Sequence, residues 1–402
     1  MEFNIRKFDW TLFFLMLILL VAGLASVYSV SVVKIGDQIT VTNYFSRQLI
    51  WIGFSLLLLI IIQLIPASFF RDYSLIFYLL SIALLIAVLF LPQIKGSHRW
   101  IKIGGFQFQP SEFTRITYIL VMVKYLTDRE LREYVIILRA FLISIPLWVL
   151  LLLEPDLGST ITYGLVFFTI LLFLPIGFDT ILFLASPILS ILFYVNIFVF
   201  LVILMLVVFY FIKASLGWVK LTFLLILNAF FTVNLSLVWN LLKEYQRVRI
   251  QAFFDPLSDP LGSGYQIIQS KIAIGSGELM GKGFISSTQK SFSFLPEYHT
   301  DYIFSIFSEE WGFFGNALFL LIWFLFFYRI IYITQKIASA QARLVNLGLF
   351  SFVLYQFALN ILVAMGYLPS TGIPLPLFSY GGSNIVVTII SIAFILKLPK
   401  HK

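Results

Sequence analysis

Twelve times along the chain a run of apolar residues recurs that is about as long as a lipid bilayer is thick, and this repetition constrains the architecture more than any single motif. A helix needs roughly 20 mostly apolar residues to cross the hydrocarbon core. Such runs fall near residues 10–32, 48–66, 73–92, 110–126, 134–153, 157–175, 179–196, 197–212, 218–241, 302–328, 345–365 and 383–398. Lipid offers the backbone no hydrogen bonds, so a spanning segment must satisfy its own N–H and C=O groups, which a helix does within one segment. The expected fold is all-α: a polytopic transmembrane helical bundle of about 12 spans, read as one domain over residues 1–402. The first run follows Arg6 and Lys7 and is longer than a signal-peptide core, so it is read as a retained span. The stretch 179–212 is broken by little beyond Asn196, and is read either as a hairpin of two short spans or as one long tilted helix.

Charge supplies the orientation. With twelve spans, 15 of the 27 Lys and Arg residues fall on one side: the N-terminus, Arg71, the 124–139 connector, Lys213 and Lys220, the 329–343 loop and the C-terminal tail. The positive-inside rule makes that side cytoplasmic, and the two larger polar segments, 93–115 and 243–300, then face outward. The net charge of +8 is scattered over connectors and forms no basic run with interleaved aromatics, so a nucleic-acid partner is not expected. There is no Cys, which excludes disulfides and thiolate metal sites; any metal would rest on carboxylates or on His98, His299 or His401.

The polar segment 243–310 holds 14 of the chain's 46 charged residues in 68 positions, and most of it forms a large extracytoplasmic loop, 242–301. Residues 255–265 read as successive turns and 266–274 as a short helix. Lys271 and Lys282 are candidates to meet lipid phosphates, although solvated loop lysines are the commoner use. The glycine-rich stretch 275–283 resembles a phosphate-binding loop only superficially, because its spacing fails and Gly283 stands where a metal-binding Ser or Thr is required. Glu297, His299 and Asp301 lie where the next apolar helix begins. They are read equally as a helix N-terminus capped by Thr300 or Asp301 and as a site where the membrane-edge acid Asp301 acts as a base.

A second outward segment, 96–112, carries Arg99, Trp100 and Lys102 among glycines and suits an interfacial strand or re-entrant turn. Glu112 and Arg115, three apart, share one helix face just inside the bilayer, which makes them a functional candidate with a structural ion pair as the alternative. In Glu154-Pro155-Asp156, Pro155 is placed in a first helical turn and Asp156 at the helix N-terminus, where capping explains it. Residues 369–383 contain three prolines and Tyr380-Gly381-Gly382-Ser383, and cannot be regular helix. Glu112, Arg115, Asp156 and Asp301 are expected to project toward one polar cleft.

These motifs, in this order, resemble the SEDS (RodA/FtsW) family of shape, elongation, division and sporulation proteins. The resemblance rests on Arg99-Trp100, Gln109-Pro110-Ser111-Glu112, Glu154-Pro155-Asp156-Leu157-Gly158, Tyr245-Gln246-Arg247, His299-Thr300-Asp301-Tyr302-Ile303-Phe304 and Ser379-Tyr380-Gly381-Gly382-Ser383. It implies a peptidoglycan glycosyltransferase of the bacterial cytoplasmic membrane that polymerises lipid II, releases undecaprenyl diphosphate, and works with a class B penicillin-binding protein and other membrane proteins of the elongation machinery. It assigns the essential acid to Asp301, as general base or as ligand of a divalent metal such as Mg or Mn, and gives Glu112 and Trp100 positions that matter. Arg115, Arg99, Lys102, Asp156, Lys271, Lys282 and His299 complete the candidate substrate-binding set. The short segment before Asp9 leans toward the elongation branch over the division branch.

Two departures stand out. Arg115 replaces the family's usual Lys, keeping the charge but presenting a planar fork. The family usually has ten spans, so the excess between the Glu154 and Tyr245 motifs fits two added helices and favours the hairpin at 179–212. A lipid-linked precursor flippase and a scaffold that only recruits the transpeptidase are the rival readings. A flippase needs a polar path across the whole bilayer, whereas these ionisable residues crowd one side.

Overall fold

The computed structural model describes residues 8–35, 38–93, 98–103, 106–127, 131–188, 197–213, 218–258, 262–291 and 298–397. Glu297 and residues 189–196 therefore lie outside the described residues. The chain divides into two compact units, residues 1–167 with 249–402, and residues 168–248.

The first unit opens with α1 (Trp10–Ser31), the short strands β1 (Val32–Ile35) and β2 (Gln38–Val41), α2 (Tyr44–Leu64), α3 (Ala67–Asp72) and α4 (Ser74–Leu89). The antiparallel hairpin β3 (Ile101–Ile103) and β4 (Phe106–Phe108) leads into α5 (Pro110–Leu126), α6 (Glu133–Leu153) and α7 (Leu157–Leu172). In the second unit lie α8 (Phe178–Ala185), continued by a 3₁₀ turn to Ile188, then α9 (Ile197–Lys213) and α10 (Trp218–Leu241). After α11 (Glu244–Phe254) the first unit resumes with α12 (Ser263–Ser276), α13 (Thr288–Ser291), α14 (Ile303–Gln335), α15 (Ala340–Ala364) and α16 (Gly382–Lys397). Every predicted span contains a helix. Among the described residues five helices, α1, α2, α6, α14 and α15, are long and apolar enough to cross a membrane by length and composition, and six shorter apolar helices accompany them.

Side-chain placement is inverted relative to a water-soluble bundle. On α2 the buried set includes Gln48, Ser55 and Gln63, while Ile50, Phe54, Leu57, Ile60 and Leu64 are exposed. Lipid tails are as apolar as Leu, so such helices gain by turning polar groups inward to hydrogen-bond. Gln63 donates to the Ala393 carbonyl (2.8 Å) and Gln48 to that of Ser379 (3.1 Å), tying α2 to α16 and to the segment that leads into it. In the second unit Leu182, Phe183, Val207, Leu221 and Leu224 pack α8, α9 and α10 together, so among the described residues the 179–212 stretch contributes two helices, α8 and α9.

One expectation needs correcting. The helix predicted from residue 302 runs to Gln335 but breaks at Gly312 (φ 62°, ψ −161°). The 275–283 stretch fills the break: Lys282 and Gly283 N–H donate to the Glu309 and Glu310 carbonyls (2.9 and 3.0 Å), and Phe313 and Phe314 N–H donate to the Glu278 and Leu279 carbonyls (2.8 and 3.2 Å). Its glycines thus serve close backbone approach. Alongside, the fully buried Lys290 ammonium lies 2.7 Å from Glu310 Oε1 and 2.6 Å from Ser29 Oγ, tying α13 and α14 to α1.

Candidate active site

The β3–β4 hairpin feeds directly into α5, where Pro110 takes a first-turn position that needs no N–H. Glu112 falls in that same turn, where the helix dipole favours an acid. Arg115 Nη2 sits 3.8 Å from Glu112 Oε1, both side chains are buried, and the guanidinium stands over the Phe352 ring at 5.6 Å. Asn384 Nδ2 on α16 donates to Glu112 Oε1 at 3.4 Å. These contacts are long for charge-assisted bonds. Glu112 Oε2 and Arg115 Nε are buried with no hydrogen-bond partner among the described residues, which is costly unless a ligand uses them.

Asp156 caps α7: its Oδ1 accepts from Ser159 N–H (3.1 Å), and Oδ2 accepts from Ser159 Oγ (2.8 Å) and Gln109 Nε2 (3.0 Å). Pro155 precedes this cap and does not enter the first turn as the sequence suggested, because the helix starts only at Leu157. Arg99 reaches across from the hairpin, donating to the Glu154 carbonyl (3.0 Å) and the Pro155 carbonyl, with Nη1 3.7 Å from Asp156 Oδ1. Arg99, Trp100, Glu112, Arg115 and Asp156 line a single cavity of about 60 Å³, closed on one side by Gly372, Ile373 and Pro374.

Asp301 is not among the residues lining that cavity. The turn carrying Asp301 is held by the 369–383 segment and by α15: Tyr380 N–H donates to the His299 carbonyl (3.0 Å), Ser379 Oγ to that of Thr300 (2.5 Å), and Asn360 Nδ2 on α15 to those of Asp301 (2.9 Å) and Ile373 (2.8 Å). The His299 ring stacks on Tyr44, centroids 4.4 Å apart. Tyr302 occupies the N-cap of α14, so Asp301 stands one residue ahead of the capping position. A side-chain carbon at position 372 would sit 3.6 Å from Asp301 Oδ2 and 3.8 Å from Arg249 Nη1. Gly372 thus both lines the Glu112 cavity and approaches the Asp301 carboxylate.

Three predicted residues do not join this cluster. Lys282 is paired with Glu309 at 2.6 Å, Lys271 lies with its side-chain end against Gly366, and Lys102 is exposed on β3 opposite Gln107. The sequence reading overlooked Arg249, Asn360, Gln109 and Asn384 as site residues. A signal for Arg249 was available, since it stands two residues after the Tyr245-Gln246-Arg247 motif and ahead of the turn-forming segment.

Fold and site define a multi-pass membrane protein that gathers buried acids and guanidiniums at the ends of its helices. The model of the cell cycle protein family of FtsW, RodA and SpoVE matches residues 9–206 and 178–402, the two stretches overlapping within the second unit. The chain belongs to that family. Peptidoglycan glycosyltransferase MrdB of Escherichia coli K12 is 31% identical over 400 residues, covering 98% of this chain and 94% of MrdB. Peptidoglycan glycosyltransferase RodA of Treponema pallidum is 31% identical over 431 residues, covering 98% of each chain. A solved chain from a peptidoglycan synthase complex that coordinates polymerization and crosslinking matches with a TM-score of 0.70 at 26% identity, covering 97% of both chains.

Proposed function

We propose that this chain is a peptidoglycan glycosyltransferase of the bacterial cytoplasmic membrane, with both termini cytoplasmic, that polymerises lipid II at the outer face during elongation and rod-shape maintenance. The observation that carries the reading is the meeting of Asp301, Arg249 and the Glu112–Arg115 cavity around Gly372, in a chain similar over nearly its full length to named peptidoglycan glycosyltransferases. In the reaction the 4-hydroxyl oxygen of one lipid-linked sugar bonds to the anomeric carbon of another. The bond from that carbon to the diphosphate breaks, and its electron pair leaves with the polyprenyl diphosphate. The Asp301 carboxylate takes the hydroxyl proton, a step worth roughly a hundredfold to ten-thousandfold. Arg249 and Arg115 receive charge developing on the diphosphate, while Glu112 and Trp100 position a sugar.

Among the described residues no three His, Asp or Glu side chains converge as a metal cage, and the Arg249 guanidinium shares the space beside Asp301. A divalent ion such as Mg or Mn is commonly held by one or two carboxylates together with substrate phosphates, and here Asp301 would be its carboxylate ligand beside the diphosphate. A class B penicillin-binding protein is the proposed partner, supported by the resemblance to the chain from a synthase complex. The helices α8 and α9 are proposed as the additions to a ten-span core.

The test is a lipid II polymerisation assay of the chain purified with its transpeptidase, with and without chelator, beside Asp301→Asn. Wild type makes glycan strands and the variant, eluting as a folded protein, loses at least a hundredfold. Strand synthesis by folded Asp301→Asn at the wild-type rate would sink the assignment.

A further inference from the structure

We propose that the other end of the first unit's bundle binds an anionic phospholipid, through a cavity of about 170 Å³ bounded by α3, α5, α15 and α16. The site is separate from the Glu112 cavity: along α5, Glu112 and Lys124 are twelve residues apart, roughly 18 Å of helix. Its interior walls are apolar, formed by Leu120, Val123, Val345 and by Phe70 against Phe394 with centroids 4.7 Å apart. Arg71, Lys124 and Lys397 also line it, and no acidic side chain does.

The cations keep their charge available. Lys124 Nζ is anchored on the Asp72 carbonyl (2.8 Å) and Lys397 Nζ on the Gln63 carbonyl (2.9 Å), so neutral acceptors aim both ammonium groups without cancelling them. Arg71 pairs with Asp72 at 3.0 Å, but both side chains are more than half exposed, where such a pair is weak. The first turn of α15 faces the same space through Ser339 and Ala342, adding the positive end of a 25-residue helix. Helix α3 carries an aromatic cluster, Phe69 lying 5.6 Å from Phe70 and 4.9 Å from Tyr73, as expected of a segment at the headgroup level.

An apolar slot rimmed by cations selects a ligand with both a hydrocarbon chain and a negative headgroup. Inorganic phosphate would leave the slot unused, and a zwitterionic lipid would leave the cations uncompensated. The headgroup phosphate belongs among Arg71, Lys124 and Lys397, and an acyl chain between Phe70 and Val345.

The experiment is native mass spectrometry of the delipidated full-length protein titrated with phosphatidylglycerol or with phosphatidylcholine of the same chains, and with inorganic phosphate as competitor. Phosphatidylglycerol should bind at least tenfold more tightly. Removing charge in Arg71→Gln/Lys124→Gln should weaken it by about fivefold per cation, and filling the slot with Val345→Trp should weaken it while leaving every cation in place. Equal binding of the two lipids, displacement by millimolar phosphate, or full binding by Val345→Trp would each overturn the proposal. The lipid comparison and Val345→Trp decide the matter even where the double variant fails to fold.

Discussion

Asp301 and Gly372 are in near contact: at φ +70°, Gly372 holds its Cα so that an added methyl would lie 3.6 Å from Asp301 Oδ2. Left-handed backbone costs a residue with a Cβ roughly 1–2 kcal/mol. In Gly372→Ala that cost is modest, but the methyl enters the space through which a substrate hydroxyl reaches the carboxylate. We expect the variant to elute as a folded protein with kcat for strand synthesis at least tenfold lower, and Gly372→Val to be worse on both counts. Wild-type turnover by Gly372→Val would show that substrate does not pass this point.

The Glu112–Arg115 pair separates stability from function. Removing one partner of a buried pair strands a charge and costs about 3–5 kcal/mol, whereas replacing both is often nearly neutral. Arg115→Met alone should lower the thermal midpoint sharply, and Glu112→Gln/Arg115→Met should restore most of it while leaving polymerisation abolished. Recovery of activity along with the midpoint would make the pair purely structural.

Hydropathy located the helices because the bilayer imposes a length on each apolar run: α5 was expected at 110–126 and α1 at 10–32, and they lie at Pro110–Leu126 and Trp10–Ser31. Hydropathy is blind to where a backbone turns inside such a run. The break at Gly312 depends on a loop some thirty residues upstream, and nothing local to the apolar stretch announces it. The candidate acids were legible as charges at span ends. The partner of each charge was not: Lys282 reads from the sequence as a solvated loop lysine or a phosphate contact, yet folding brings it to Glu309, 27 residues away. Arg249 reaches Gly372 through packing that no spacing rule encodes.

The helix break makes its own prediction. Gly312 has a backbone conformation nearly reserved for glycine, and a Cβ there would lie 2.4 Å from Gly281 N; a Cβ at Gly281 would lie 2.2 Å from the Glu310 carbonyl oxygen. Gly312→Ala and Gly281→Ala should each destabilise by about 1–3 kcal/mol from backbone strain alone, with more from the clash. Both disturb the same interlock, so their combined shift in thermal midpoint should be smaller than the sum. Strict additivity would mean that the loop and the break are independent.

Glu154 gives the fold a pH dependence. It follows the last residue of α6, is fully buried, and has no hydrogen-bond partner for either carboxyl oxygen among the described residues. Burial, aided by the negative charge of Asp156 and opposed by Arg99, pushes its pKa up to about 9. The folded chain then holds this proton while the unfolded chain releases it near the ordinary glutamate value, so between about pH 4.5 and 9 the folded state binds more protons. Stability from this group therefore falls as pH rises through that window, by up to about 1.4 kcal/mol per pH unit. Glu154→Gln keeps the neutral shape without a titratable proton. Its thermal midpoint should decline less than that of wild type between pH 6 and 8.5, with the gap widening toward alkaline pH. Parallel midpoint curves for the two proteins would show that Glu154 is already ionised in the folded state.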